Sequence, residues 1–338
     1  MPELVTIVTP SYNQAQYLEA ALLSVLEQDY PHIEYLVVDG GSSDGSLEII
    51  QRHASRFAWW ISEPDAGQAE AINKGLQRAS GEIVAWLNSD DLYLPGAVSR
   101  AVRLLRANPG AGLVYGDGLS IDGEGRPIKW LRMGDWGLAD LLRFRILCQP
   151  AVFMRREVLR QAGYLDPKYH YMLDHHLWIR MARLAAVLHA GNEPAPWAAA
   201  RQHPAAKNVA QAPGFGRETL RLLEWMRTQP DLASHLERDR HRVQGGAYRL
   251  NARYLLDGGL PGGALRSYGR ALLSDPPYAL RHWHRMLFAL ASLLGAGGLA
   301  RYNERFRRPQ RRRAARELSG LPGLEGWPGL ALQPTPHP

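Results

Sequence analysis

Along the first 110 residues, apolar runs alternate regularly with stretches of mixed polarity. Leu4–Thr9, Ile33–Val38, Phe57–Ser62 and Glu82–Leu87 are short runs rich in β-branched and aromatic residues, which is how strands covered on both faces read. Between them, residues 16–28, 44–55 and 66–79 place apolar positions at helical spacing, and Asp44 or Ser43 stands where it would cap the second helix. Alternation of this kind predicts βαβ units and a doubly wound, mostly parallel sheet, an α/β fold.

Beyond Gly112 the regularity ends. Leu113–Tyr115, Leu119–Ile121 and Ile128–Met133 read as short strands between glycine turns, and Leu138–Phe144, Arg156–Ala162 and Asp174–Leu184 as helices. Val187–His189 and Pro196–Ala200 return to strand character. Pro213 and two glycines within 210–216 suggest a linker, and Glu218–Leu294 is helical almost throughout. Within it, Ala252–Pro276 reads as one helical hairpin of TPR-like character, with its turn at Gly258–Gly263. The expected organisation is therefore a domain over 1–212, a small all-α appendage over 213–300, and a basic, then Pro/Gly-rich tail over 301–338, expected to be disordered.

Composition refines this picture in three places. A hydrophobic content of 46% supports a real core. The single cysteine, Cys148, excludes a disulfide framework and fits a reducing compartment. The formal charge of +7 is local: eight arginines against two glutamates between Arg301 and Glu317 leave about +1 for the rest. No secretory signal is read at the strand-like start, and the longest uncharged run, Met286–Ala300, falls short of the roughly 20 residues a bilayer requires. A cytoplasmic protein follows, with peripheral contact at the inner face of the membrane through the Arg-rich tail. No nucleic-acid partner is expected, because no RNA- or DNA-binding module accompanies that tail.

The chemistry gathers at strand ends. The first strand runs into Pro10-Ser11-Tyr12-Asn13, the second into Asp39, and the fourth into Asn88-Ser89-Asp90-Asp91. In an open parallel sheet these loops share one ligand-binding crevice. Hydroxyls and an aromatic suit a nucleobase and ribose, and Asp39 can accept a base N–H or a ribose hydroxyl. Two adjacent carboxylates repel unless a cation lies between them, which a hard divalent ion does naturally. The three loops together suggest a nucleotide-diphosphate ligand.

Two segments, TIVTPSYNQAQYLEAALLSVLEQDYPHIEYLVVDGGSSDGS and SEPDAGQAEAINKGLQRASGEIVAWLNSDDLYLPGA, closely resemble the family 2 glycosyltransferases of GT-A fold. A third, QPAVFMRREVLRQAGYLDPKYHYMLDHHLWIRMA, resembles that family's acceptor-side region, and the resemblance covers roughly residues 4–205. It implies metal-dependent, inverting transfer of a sugar from a nucleotide-diphosphate sugar, a UDP-sugar first among them, to a saccharide or lipid-linked acceptor in surface polysaccharide or glycolipid synthesis. Asp174 stands at the position of the family's general base, although Leu173 replaces the acid that often precedes it. Asp90 takes the place of the ligand to Mn²⁺ or Mg²⁺, with Asn88 and Asp91 left to ribose contact or support. Asp65 resembles the acid after the third strand, and Asn73 and Lys74 occupy the AxN(K/R)G site, where Ile72 replaces a frequent arginine. Arg201-Gln202-His203 and Lys207 resemble the late basic patch, with His203 completing the metal or diphosphate site. The alternatives are a sugar-nucleotide nucleotidyltransferase, against which the loop PSYNQAQ argues, and a non-catalytic nucleotide-sugar-binding scaffold.

Overall fold

The computed structural model describes residues 2–191, 193, 195–295, 299–318, 321 and 323–332. It comprises two compact units, one of Met1–Gly137, Leu147–Gln202 and Gln310–Pro338, the other of Leu138–Ile146 and His203–Pro309. The chain begins β1 (Val5–Ser11), α1 (Ala15–Leu26), β2 (Ile33–Asp39), α2 (Ser46–His53), β3 (Trp59–Ser62), α3 (Gln68–Arg78) and β4 (Ile83–Trp86). It continues β5 (Leu92–Tyr93), α4 (Ala97–Ala107), β6 (Ala111–Tyr115), β7 (Gly118–Asp122), β8 (Pro127–Leu131) and α5 (Leu138–Leu142). Then come β9 (Val152–Arg155), α6 (Arg156–Ala162), α7 (Leu173–Ala182), β10 (Ala186–His189) and β11 (Ala198–Gln202). The remaining helices are α8 (Lys207–Ala210), α9 (Ala212–Arg227), α10 (Ala233–Arg238), α11 (Arg240–Asp257), α12 (Pro261–Ser274), α13 (Pro276–Leu280), α14 (Trp283–Leu293) and α15 (Leu299–Leu318).

The main sheet has the order β10-β6-β9-β4-β1-β2-β3. Strands β1 to β4 are mutually parallel, β9 is antiparallel to both β4 and β6, and β10 is parallel to β6. The carboxyl ends of β1, β2, β3, β4, β6 and β10 therefore lie on one edge. Every residue of β1 is buried, because alternate side chains enter different layers. Val5 and Ile7 join α1, α2 and α4 in the main core through Leu18, Leu22, Ile49, Ile50, Val98 and Val102. On the other face Val8 meets α3 so closely that a Cβ on Gly75 would overlap its side chain, and Trp86 stacks on Trp178 of α7 at 5.1 Å. The α/β reading thus holds, with β9 and β5 as strands the sequence pattern did not reveal.

A smaller sheet, β5-β11-β7-β8, completes the first unit. Its apolar face is covered by the chain's own C-terminal segment: Leu318 and Leu324 are buried with Leu92, Leu94, Leu119, Ile121 and Trp130, and Leu321, Trp327, Leu330 and Leu332 pack around them. Trp327 Nε1 donates to the Tyr93 carbonyl (2.7 Å) and Ala331 N–H to that of Gly125 (3.0 Å). The expected disorder of the tail does not hold for these residues. An apolar side chain at every third position from Leu318 to Leu330 gives the segment a surface to bury, while Gly323, Gly326 and Gly329, all at positive φ, make its turns.

The second unit is all helical in its described secondary structure, with α11 and α12 forming a hairpin about residues 258–260. The expected linker at 210–216 is instead the start of α9. Pro213 lies in that helix's first turn, where its missing N–H has no cost, and Gly216 lets α11 approach so closely that a Cβ would overlap Asn251 Oδ1. The division falls at Gln202 rather than 212, and α5 belongs with the helices. Arg143 pairs with Asp239 at 2.8 Å, and the Phe144 carbonyl accepts from Arg249 on α11.

Candidate active site

Four loops at the carboxyl edge of the main sheet carry the expected residues. Pro10 and Ser11 are still within β1 and buried, whereas Tyr12 is 62% exposed. Asn13 adopts the left-handed conformation (φ 51°), which asparagine tolerates better than most side chains. Its Oδ1 accepts the Ser43 N–H (2.9 Å) and its own N–H donates to Ser42 Oγ (2.8 Å), tying the first loop to the second. Asp44 reinforces the tie by accepting the N–H groups of Ala15 (2.9 Å) at the start of α1 and of Ser46 (3.1 Å).

Asp39 is fully buried. It accepts the N–H groups of Gly41 (3.1 Å) and Ser42 (2.9 Å) and the hydroxyls of Ser42 (2.5 Å) and Ser62 (2.7 Å). Its carboxylate therefore shapes the second loop from beneath. Above it, a Cβ on Gly40 would lie 2.7 Å from Asp65 Oδ2 and 3.3 Å from the Tyr12 ring. Tyr12, Gly40 and Asp65 thus converge over the ends of β1, β2 and β3, a juxtaposition the sequence reading did not foresee for Gly40. Asp65 is fixed by the Gly67 N–H (2.8 Å).

The fourth loop separates the two carboxylates. Asp91 is buried and accepts the Arg201 N–H (2.9 Å) and the Asn88 amide (3.2 Å). Burial first, and then the negative charge of Asp90, push its carboxyl up to about 8. Asn88 spends its remaining capacity on Gln149 (2.9 Å) and Gln68 (2.8 Å). Asn88 and Asp91 thus build the loop, while Asp90 is only half-buried. Arg201 clamps it from below: Nε donates to the Asp90 carbonyl (2.9 Å), Nη1 to those of Asp122 (3.2 Å) and Gly123 (3.0 Å), and Nη2 to that of Gly329 (3.3 Å). The sequence marked Arg201 as part of a basic patch; the structure makes it a buried anchor.

Asp174 lies in the first turn of α7, with one oxygen accepting the His175 N–H (2.7 Å). Trp178, one turn on and on the same face, is the residue stacked on Trp86 at the end of β4. That contact brings the start of α7 toward the β4 edge. Asn73 is occupied elsewhere: Nδ2 donates to the Leu165 carbonyl (2.8 Å) and Oδ1 accepts the Leu165 N–H (2.9 Å). Through both contacts it pins the segment between α6 and α7. Lys74 pairs with Glu63 beyond β3 at 2.5 Å. His203 is buried and belongs to the second unit. Among the described residues no group of three or more His, Cys, Asp or Glu could hold a metal ion.

A further carboxylate follows β6 on the same edge. Asp117 accepts from the Met133 N–H (2.7 Å), Trp130 Nε1 (2.9 Å) and His189 Nε2 (3.2 Å). Burial alone would raise its pKa; the His189, Met133 and Trp130 hydrogen bonds overcome that and hold it below the usual carboxylate range.

These loops are the ligand edge of a GT-A fold. The chain belongs to glycosyl transferase family 2, whose model matches residues 6–181. It is 27% identical over 197 residues to an uncharacterized glycosyltransferase of Rickettsia typhi, covering 54% of this chain and 60% of that one. It is 43% identical over 93 residues to the putative teichuronic acid biosynthesis glycosyltransferase TuaG of Bacillus subtilis, covering 27% and 37% of the two chains. The chain thus spans about a third to three fifths of the length of these curated relatives. Among solved structures, S. aureus TarS 1-349 in complex with UDP-GlcNAc superposes with TM-score 0.58 at 16% identity, covering 91% of this chain and 92% of that one. The mannosyltransferase PcManGT from Pyrobaculum calidifontis, in complex with GDP-Man and Mn²⁺, gives 0.56 at 21%, covering 88% and 87%. At these identities the structures establish the shared fold.

Proposed function

We propose that this chain transfers a sugar from a nucleotide-diphosphate sugar to an acceptor hydroxyl, with inversion, in surface polysaccharide or glycolipid synthesis. The convergence of Tyr12, Gly40 and Asp65 beside the Asp90 loop carries the reading. It lies at the strand ends where α/β folds take nucleotides, and the superposing proteins are complexed with UDP-GlcNAc and with GDP-Man and Mn²⁺. Tyr12 and Asp65 contact base and ribose, and Asp39, Asn13, Asn88 and Asp91 act through the loops they hold. A UDP-sugar is the first donor to test.

Asp90 fits a divalent ion, Mn²⁺ or Mg²⁺. It is a hard carboxylate beside a second one, Asp91, and a cation at the pair would relieve their mutual repulsion. Asp90 is the residue of this chain that would hold it. When bound, such an ion would neutralise charge on the departing diphosphate. Asp174 takes the proton of the acceptor hydroxyl, whose oxygen forms a bond to the anomeric carbon. The bond from that carbon to the diphosphate breaks, and its electron pair leaves with the nucleotide. The acceptor is a saccharide or a lipid-linked saccharide; no helix among the described residues is long and apolar enough to cross a membrane. We place the reaction in the cytoplasm, with the Arg-rich tail drawn to anionic headgroups at the inner membrane face.

A thermal-shift panel of UDP, GDP, dTDP and CMP, each with and without Mn²⁺, tests this. Bound ligand raises the melting temperature by mass action, so a metal-dependent rise with one nucleotide, UDP first, is expected. Absence of any shift sinks the donor reading.

A further inference from the structure

Helix α14 has two apolar faces. One is buried: Phe288 and Ala289 pack with Ala252, Leu256, Ala264 and Tyr268 of α11 and α12. The other is open, with Trp283 59%, Leu287 55%, Leu290 48% and Leu294 75% exposed. Steps of four, three and four residues hold these side chains within a stripe about 60° wide. Leu293, and Leu280 at the end of α13, are also open, at 53% and 56% exposure. A helix that only packs against its neighbours needs one apolar stripe, and single exposed leucines are ordinary, whereas a contiguous patch marks a contact.

The surrounding charge indicates what covers it. From Pro276 to Asn303 the sequence holds no carboxylate, while Arg281, Arg285 and Arg301 and the histidines 282 and 284 fall within it. Arg281 is exposed, and Arg285 reaches back to Asp257 at 3.2 Å. A symmetric second copy would set these cations against themselves, which like charges oppose. A surface of anionic headgroups over an acyl layer matches both the cations and the apolar stripe. The helix's 11 residues span about 16 Å, too little to cross a bilayer but enough to lie along its surface.

We propose that the open face of α14 docks on an anionic membrane surface, with Trp283, Leu287, Leu290 and Leu294 at the acyl boundary and Arg281 at the phosphates. Tryptophan suits that depth, where one end of its ring is apolar and the other wet. The inference deepens the membrane part of the functional reading by assigning it an apolar anchor, separate from the arginines that follow.

Flotation of the full chain with phosphatidylcholine vesicles, with and without phosphatidylglycerol, tests it. Wild type is expected to float with the anionic vesicles. Leu287→Ser/Leu290→Ser and Trp283→Ala are expected to bind on the order of tenfold more weakly, with melting temperature and nucleotide-induced shift unchanged. Flotation of the variants at the wild-type level overturns the proposal and leaves any contact to the arginines alone. Failure of wild type to float overturns it as well. So does loss of a self-associated species in the variants without loss of vesicle binding, which would make the face a protein interface. A nucleotide panel without response would sink the donor reading and leave the flotation result standing.

Discussion

The carboxyl edge of the main sheet and the outer face of α14 differ in what they leave unsatisfied. At the sheet edge, Asp39, Asn73, Asn88 and Asp91 are engaged by backbone or side-chain partners, and they fix the loops that carry Tyr12, Asp65 and Asp90. On α14 the polar groups are few, and the large side chains lie open. A site for a polar ligand is built by spending most of its acids and amides on geometry, so that few remain to touch the ligand. A docking face needs no such preparation, because burying apolar area is non-directional.

The strongest way to break this contrast is at Asp174. In an Asp174→Asn variant kcat should fall by about 10²- to 10⁴-fold, the usual worth of a positioned base, with nucleotide affinity kept; single-turnover kinetics and a binding isotherm read the two. Equal turnover would remove Asp174 from the mechanism. Next in size, Gly75→Val should destabilise the fold by about 1–3 kcal/mol, because the added carbons have only the Val8 side chain to move into. Denaturant unfolding measures it, and an unchanged midpoint would show that α3 can lift from β1 without cost.

Asp117 sharpens the comparison through pH. Its folded-state pKa is lowered, so it adds stability above the ordinary carboxylate range, and that stability is lost as pH falls through the depressed value. Asp117→Asn should therefore lower stability at neutral pH and flatten the decline on acidification, seen as melting temperature against pH. A parallel curve for the variant would mean that its three hydrogen bonds do not favour the ionised form. The smallest effect is expected at Lys74. The Glu63 pair is partly exposed, so Lys74→Met should change stability by less than about 1 kcal/mol. A large rise in KM for the donor would instead show Lys74 leaving Glu63 for a phosphate.

Strands β1 to β4 were legible because strands buried on both faces read as unbroken apolar runs, and the loops after them because carboxylates and glycines there have few other uses. The roles inside those loops were not legible. The hold of Asn73 on Leu165, 92 positions away, has no sequence signal. Arg201 and Asp90 are separated by 111 positions, so no local pattern links them. Gly40 gives no signal beyond its neighbour Gly41, since what matters is the space a missing Cβ leaves between Tyr12 and Asp65. The tail was misread because composition was weighed above its three-residue apolar spacing. Pro213 was misread because a proline opening a helix and one breaking it look alike without the helix in view.

The strap formed by residues 321–332 sets an order of events during synthesis. Leu92, Leu119 and Ile121 are made some two hundred residues before the Leu318–Leu330 segment that covers them, and the Arg201 guanidinium meets its last carbonyl only when Gly329 has emerged. While translation proceeds, the early sheet can pair its strands, but the loop bearing Asp90 lacks one of its braces. Between the emergence of β11 and that of Leu318 the nascent chain thus carries an uncovered apolar sheet, a natural target for a holdase chaperone.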